Sequence, residues 1–173
     1  MPNMEDPNFR QTLTYIVEHN DNGALGFVVN RSMGIDIGEV YQQMDISLSD
    51  NPDLATPVLE GGPVDREHGL VLHPSGQSWS STKDFGHGVA LSSSRDILED
   101  MARGEGPQRG LVLLGHSGWG PGQLEDEFAG NAWLSCPAAS DILFDTGLDA
   151  KLDAAAAHLG INLQSVVTDA GHA

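Results

Sequence analysis

The residues best suited to chemistry lie between positions 111 and 133. Leu111-Val112-Leu113-Leu114-Gly115-His116-Ser117-Gly118 brings a histidine and a serine to the end of an apolar run. A hydrolase nucleophile elbow needs Gly-x-Ser-x-Gly on a strand-to-helix turn, so that strand and helix can approach the serine closely. Here Trp119 stands where the second glycine belongs, and Gly120 comes one position late. The later histidines are His158, in an Ala-rich stretch, and His172, beside the terminus. The pattern predicts turn chemistry with Trp119 filling the core, not a serine nucleophile. Gly118-Trp119-Gly120-Pro121-Gly122 opens a predicted helix, and such loops can cradle phosphate with backbone N–H groups. Glu125, Asp126 and Glu127 follow at once; they already answer the helix dipole and would repel an anion. The lysine of a phosphate-binding loop is missing as well. The histidines show no His-Glu-x-x-His spacing and no cysteine at zinc spacing. No catalytic set, no metal site and no cofactor is expected.

Cationic residues are scarce, so each needs a physical reason. Asn30-Arg31 closes a predicted strand, and Arg95 sits in the first turn of a predicted helix. Pairing with a carboxylate such as Glu125 or Glu127 is one reason, since Arg pairs bidentately. Holding an acidic ligand is the other. A general acid/base needs a cleft and a shifted pKa, so the enzyme alternative rests on Glu125 or Glu127 in such a place.

The charge narrows the partners. Asp and Glu number 25 against 8 Lys and Arg, a formal net charge of -17. Small soluble domains usually carry about 2–8 charges of either sign. Nucleic-acid affinity comes chiefly from Lys and Arg neutralising phosphates, and no basic cluster exists. Direct DNA binding is therefore disfavoured, and so is an anionic membrane surface. Cys136 is the single cysteine, which fits a reducing compartment. With no apolar run long enough to span a bilayer and no signal-peptide pattern at Met1–Arg10, a cytoplasmic location is expected.

The positioning elements follow from hydrophobic periodicity and turn residues. Thr12–His19 and Ala24–Asn30 flank Asn20-Asp21-Asn22-Gly23, which predicts a β-hairpin. A short helix is expected after Asp36, with Ile37, Val40, Tyr41 and Met44 on one face. Strands are expected at Val58–Glu60, Gly69–His73 and Gly88–Ser92, with Pro74–Gly86 between the last two as loop. Ser93-Ser94-Arg95-Asp96 starts a helix that stops near Gly104. Arg109–Gly115 reads as a buried strand, Gly118–Gly122 as loop, Gln123–Trp133 as helix and Leu148–Leu159 as the last helix. Strands in succession with occasional helices predict an α+β fold with a largely antiparallel sheet, in one domain over residues 1–173.

Several of these segments resemble the AlgH/YqgE family of bacterial proteins. They are Glu18-His19-Asn20 through Ala24–Arg31, Gly61-Gly62-Pro63-Val64, Ser93-Ser94-Arg95-Asp96, Gly115–Glu127 and Asn131-Ala132-Trp133-Leu134. The resemblance implies a folded-over, mostly antiparallel sheet flanked by helices, and a cytoplasmic protein. The family name associates it with transcriptional regulation of alginate synthesis; no catalytic residues carry over. Members usually have a further strand before the stretch matching Met1-Pro2-Asn3-Met4, so a late start and an exposed sheet edge are expected. His116-Ser117 also stands where members more often have Tyr-Ala. The candidate binding surface comprises Asn30, Arg31, Gly62, Arg95, Gly118, Trp119, Gly120, Gln123, Glu125, Glu127 and Asn131. The expected function is non-enzymatic binding or regulation through an unknown small molecule or protein partner. The alternatives are an enzyme using Glu125 or Glu127, and a direct DNA-binding regulator.

Overall fold

Asn20-Asp21-Asn22-Gly23 turns the chain between two antiparallel strands, β1 (Thr14–Asn20) and β2 (Gly23–Val28), paired from Thr14↔Val28 to Asn20↔Gly23. Gly23 is needed there: its φ is +125°, and a Cβ would stand 2.1 Å from the Trp119 carbonyl oxygen. The computed structural model describes residues 6–163, which group into two compact units. The expected late start at Met1–Met4 and the position of His172 lie outside the described residues. The fold is α+β, with helices flanking strands that pair antiparallel except at one place.

The first unit holds β1, β2, Ser117–Trp119 of strand β8 (Leu111–Trp119), α3 (Gln123–Ala129), a π-helical turn (Asp141–Asp145) and α4 (Leu148–His158). β2 pairs antiparallel with this end of β8, Ala24↔Trp119 through Gly26↔Ser117. Phe27, Val28, Val29, Trp119, Leu124 and Leu143 are buried in its core. The sequence reading puts Gly118 in a loop, but the strand runs on through Trp119 because β2 supplies a hydrogen-bonding partner. It also carries α3 to Trp133, whereas the helix stops at Ala129. Gly130 caps it, and Asn131 takes a left-handed φ of +57°.

The second unit holds β3 (Ser32–Asp36), α1 (Ile37–Gln43), β4 (Pro57–Glu60), β5 (Val64–Pro74), β6 (Thr82–Asp84), β7 (Val89–Ser92), α2 (Arg95–Arg103) and Leu111–His116 of β8. β4 lies parallel to β8, Val58↔Val112; β5 pairs antiparallel with β8 and β7. Ile37 and Tyr41 of α1 and Ile97 and Leu98 of α2 pack on Val58, Val71 and Val112. The helical spacing read from the sequence is the one that buries. β3 and β6 fall where no strand is expected: both are short, β6 is polar, and β3 buries only Met33 and Ile35 in part.

Candidate functional site

β8 ends at Trp119, and the chain turns through Gly120-Pro121-Gly122 into α3. The Gly120 N–H donates to Gln123 Oε1 at 3.0 Å, and Gln123 Nε2 donates to Glu127 Oε1 at 3.1 Å. The other Glu127 oxygen accepts two indole N–H groups, from Trp119 at 2.9 Å and from Trp133 at 2.7 Å. Three donors thus converge on one carboxylate, which satisfies the indole N–H groups of buried Trp119 and half-buried Trp133. Phe9 joins them, its ring centroid 5.9 Å from Trp119 and 5.3 Å from Trp133, with the two indoles 6.0 Å apart.

Both indoles line a cavity of about 540 Å³ within the first unit. Its walls are mainly apolar and include Ile16, Val29, Leu124, Ile142, Leu152 and Ala155. Phe128, Leu134 and Leu159 also line it while remaining 37%, 52% and 39% exposed, so the apolar rim reaches solvent. Large exposed apolar groups gathered at one opening mark a contact surface more strongly than the same groups scattered. Cys136 is half-buried in the same wall. His19 is a lining residue as well, and its Nε2 lies 2.6 Å from Glu125 Oε1. The backbone N–H of Glu125, then the bond to His19, hold the Glu125 carboxyl below the usual carboxylate range. α4 is tied to the π-helical turn by Lys151 Nζ, which donates to the Leu143 carbonyl at 2.7 Å.

The candidates divide between the two units. Gly118, Trp119, Gly120, Gln123, Glu125, Glu127 and Asn131 fall on the β8–α3 segment just described. Asn30 is also in the first unit, where its Oδ1 accepts the Leu13 N–H at 2.8 Å and its Nδ2 donates to the Gln11 carbonyl at 3.1 Å. Arg31, Gly62 and Arg95 belong to the second unit. Arg95 bonds Glu99 at 2.7 Å, one helical turn on, and the Asp45 carbonyl at 3.3 Å. The expected carboxylate partner of Arg95 is thereby corrected to Glu99, because i,i+4 spacing on α2 puts that group nearest. Gly62 faces Gly115, whose φ of +76° and close approach (2.6 Å from an added Cβ to the Gly62 oxygen) leave room for no side chain.

Ser117 is fully buried, and His116 Nδ1 lies 4.0 Å from Asp65. A second serine–histidine pair, unmarked by any sequence motif, is closer: His73 Nε2 lies 2.8 Å from Ser92 Oγ. Both residues are 0% exposed, and Ser92 Oγ also bonds Thr82 Oγ1 at 2.7 Å. This pair ties β5, β6 and β7 together and has no opening to a substrate. Among the described residues no three His, Cys, Asp or Glu side chains gather in a group that could hold a metal ion.

The sequence reading missed the cavity-lining residues from Thr12 to Ile16 and from Leu134 to Leu163. They come from separate stretches, and no spacing rule joins them.

A family model described as AlgH-like matches residues 1–164. The AlgH protein of Pseudomonas aeruginosa is 48% identical over 180 residues, an alignment covering all of this chain and 92% of that protein. A protein of Thioalkalivibrio sulfidiphilus is 50% identical over 173 residues with the same coverage. The solution structure of the Pseudomonas aeruginosa AlgH protein superposes with a TM-score of 0.79 at 47% identity, covering 100% of this chain and 92% of that one. A crystal structure of a Corynebacterium diphtheriae protein gives a TM-score of 0.61 at 18% identity over 81% of this chain and 73% of that one, a likeness of fold alone. Matched by the family model over nearly all its residues and by relatives about half identical along its length, the chain belongs to the AlgH-like family.

Proposed function

We propose that this is a non-enzymatic binding protein that works through the apolar cavity of its first unit, taking an apolar ligand or the apolar groups of a protein partner. The observation that carries the reading is the cavity itself. Its volume of about 540 Å³ lies in the range of small-molecule sites, about 300–1,000 Å³, and its rim of Phe128, Leu134 and Leu159 is exposed. The carboxylates that an enzyme would need are otherwise engaged. Glu127 accepts from three N–H donors, and Glu125 is held in its ionised form beside His19. Acid/base work near neutral pH calls for a carboxyl raised toward that pH. The charge of -17 opposes direct DNA binding, so any regulatory role runs through a partner. A cytoplasmic site of action accords with the single cysteine, and among the described residues no helix is long and apolar enough to cross a membrane.

The test is titration with a neutral apolar dye, N-phenyl-1-naphthylamine. The expected result is saturable fluorescence, with slower alkylation of Cys136 when the dye is bound. An Ala155→Phe variant, which fills the cavity, should remain folded and lose the signal. Absence of saturable binding to the folded protein would overturn the reading.

A further inference from the structure

We infer that the cavity accepts an extended apolar peptide segment of a partner protein, flanked by Lys or Arg, which adds as a strand to the outer edge of β1; this rests on the binding reading above. Strand residues alternate faces, so a cavity against one face is lined by every second residue. This cavity is lined by Thr14, Tyr15 and Ile16 in succession, and therefore runs along the strand's edge. Among the described residues β1 pairs only with β2. The Leu13 carbonyl accepts the Val29 N–H at 2.9 Å, and the Tyr15 carbonyl lies against Gly26. Antiparallel pairing alternates inward and outward backbone groups, so Thr14 and Ile16 turn theirs away from β2. The Thr14 hydroxyl is buried and has no hydrogen-bond partner.

An apolar rod would fill the cavity but leave these edge groups unsatisfied. A strand satisfies them, since its main chain meets the edge and alternate side chains enter the pocket. The charge selects the flanks. From Gln11 to Asn30 and from Ser117 to Ala150 the sequence holds no Lys or Arg, while Glu18, Asp21, Glu125 and Asp126 lie in those stretches. Opposite charge on the incoming segment speeds encounter. A second copy of this chain would bring like charge to the same edge.

The probe is a synthetic peptide of alternating Val and Leu flanked by Lys pairs, compared with the same peptide N-methylated at alternate residues. The full chain is used, with dye displacement and amide hydrogen exchange as readouts. The parent peptide is expected to displace the dye and to protect the Thr14 and Ile16 amides. The methylated peptide should bind about tenfold more weakly, having lost two main-chain donors. Equal displacement by both peptides without protection overturns strand addition and leaves the cavity reading standing. The same holds for dye binding that neither peptide displaces. A free protein of dimer mass with both amides already protected would give the edge to a second copy and also overturn the proposal. Peptide binding only after truncation at Leu163 would give it to this chain's own end, with the same consequence. Failure of dye and peptide together overturns both readings.

Discussion

Lys151 is 1% exposed in α4, and its Nζ finds the Leu143 carbonyl. Burial pushes its pKa down from 10.5 to about 8, because a charged ammonium is poorly solvated there. The unfolded chain therefore holds the proton more tightly than the folded one. The contribution of Lys151 is least favourable below about pH 8, where both states are charged, and rises as pH climbs to about 10.5. The shift corresponds to about 3 kcal/mol, at about 1.4 kcal/mol per pKa unit. Replacing Lys151 with Met keeps the length of the side chain and removes the charge. The Leu143 carbonyl loses its donor, which costs about 1–2 kcal/mol. At pH 7 the Lys151→Met variant should therefore equal or exceed the wild type by about 1–2 kcal/mol.

Chemical denaturation of both proteins at pH 7, 9 and 10.5 checks this. The variant's advantage should shrink as pH rises and reverse near pH 10.5, where the neutral lysine still donates to Leu143. Tyr41 works in the other direction, since burial raises its pKa to about 12 and stability falls above about pH 10 as the unfolded tyrosine ionises. It is common to both proteins and cancels in the difference. A difference that does not change with pH would refute the reasoning, and so would a variant that is worse at pH 7 than at pH 10.5.

Glu127→Ala leaves the indole N–H groups of Trp119 and Trp133 without their acceptor; a loss of about 2–4 kcal/mol in denaturation and a collapsed near-ultraviolet tryptophan signal are expected. Gly115→Ala puts a methyl 2.6 Å from the Gly62 oxygen at a φ of +76°, so a loss of more than about 1 kcal/mol should appear as a lower Tm. The hydrogen bonds of Ser94 and then Ser80 hold the Asp96 carboxyl at about 2. Its stabilisation is present above about pH 4 and disappears as pH falls toward 2, so Asp96→Asn should flatten acid unfolding in that window.

The parts of the fold legible in the sequence are those with strong local chemistry. Asn20–Gly23 marks its hairpin because the turn needs a glycine, and α2 follows from Ile97, Leu98 and Met101 on one face before Gly104, with Ala102 buried beside them. β6 is a strand only because β7 pairs with it, since Thr82–Asp84 carries no apolar alternation of its own; β3 does alternate, with Met33 and Ile35 packed on the core, but over too few residues to stand out as a strand. The end of α3 was legible in principle, since Gly130-Asn131 favours the left-handed backbone that stops a helix. The apolar periodicity up to Trp133 reads past it, but Trp133 is held by Glu127, not by the helix. As for the site, the segment from Gly118 to Asn131 was visible through its residue types. The cavity was not, because Ile16, Trp119, Leu134 and Leu152 meet only after folding.

The acidic residues that invite a catalytic reading are explained by what they touch. A carboxylate placed among aromatic rings usually signals chemistry if it is short of donors, because its charge is then available to a substrate. Glu127 has the opposite arrangement: Gln123, Trp119 and Trp133 supply donors to both of its oxygens. Its effect is to orient two indoles so that their polar edges are satisfied inside the protein while their rings remain on the cavity wall. The selectivity of such a wall comes from shape, apolar area and the surrounding negative charge. Substitutions that reshape the wall, such as Ala155→Phe, should therefore alter binding more than loss of the Glu125 charge.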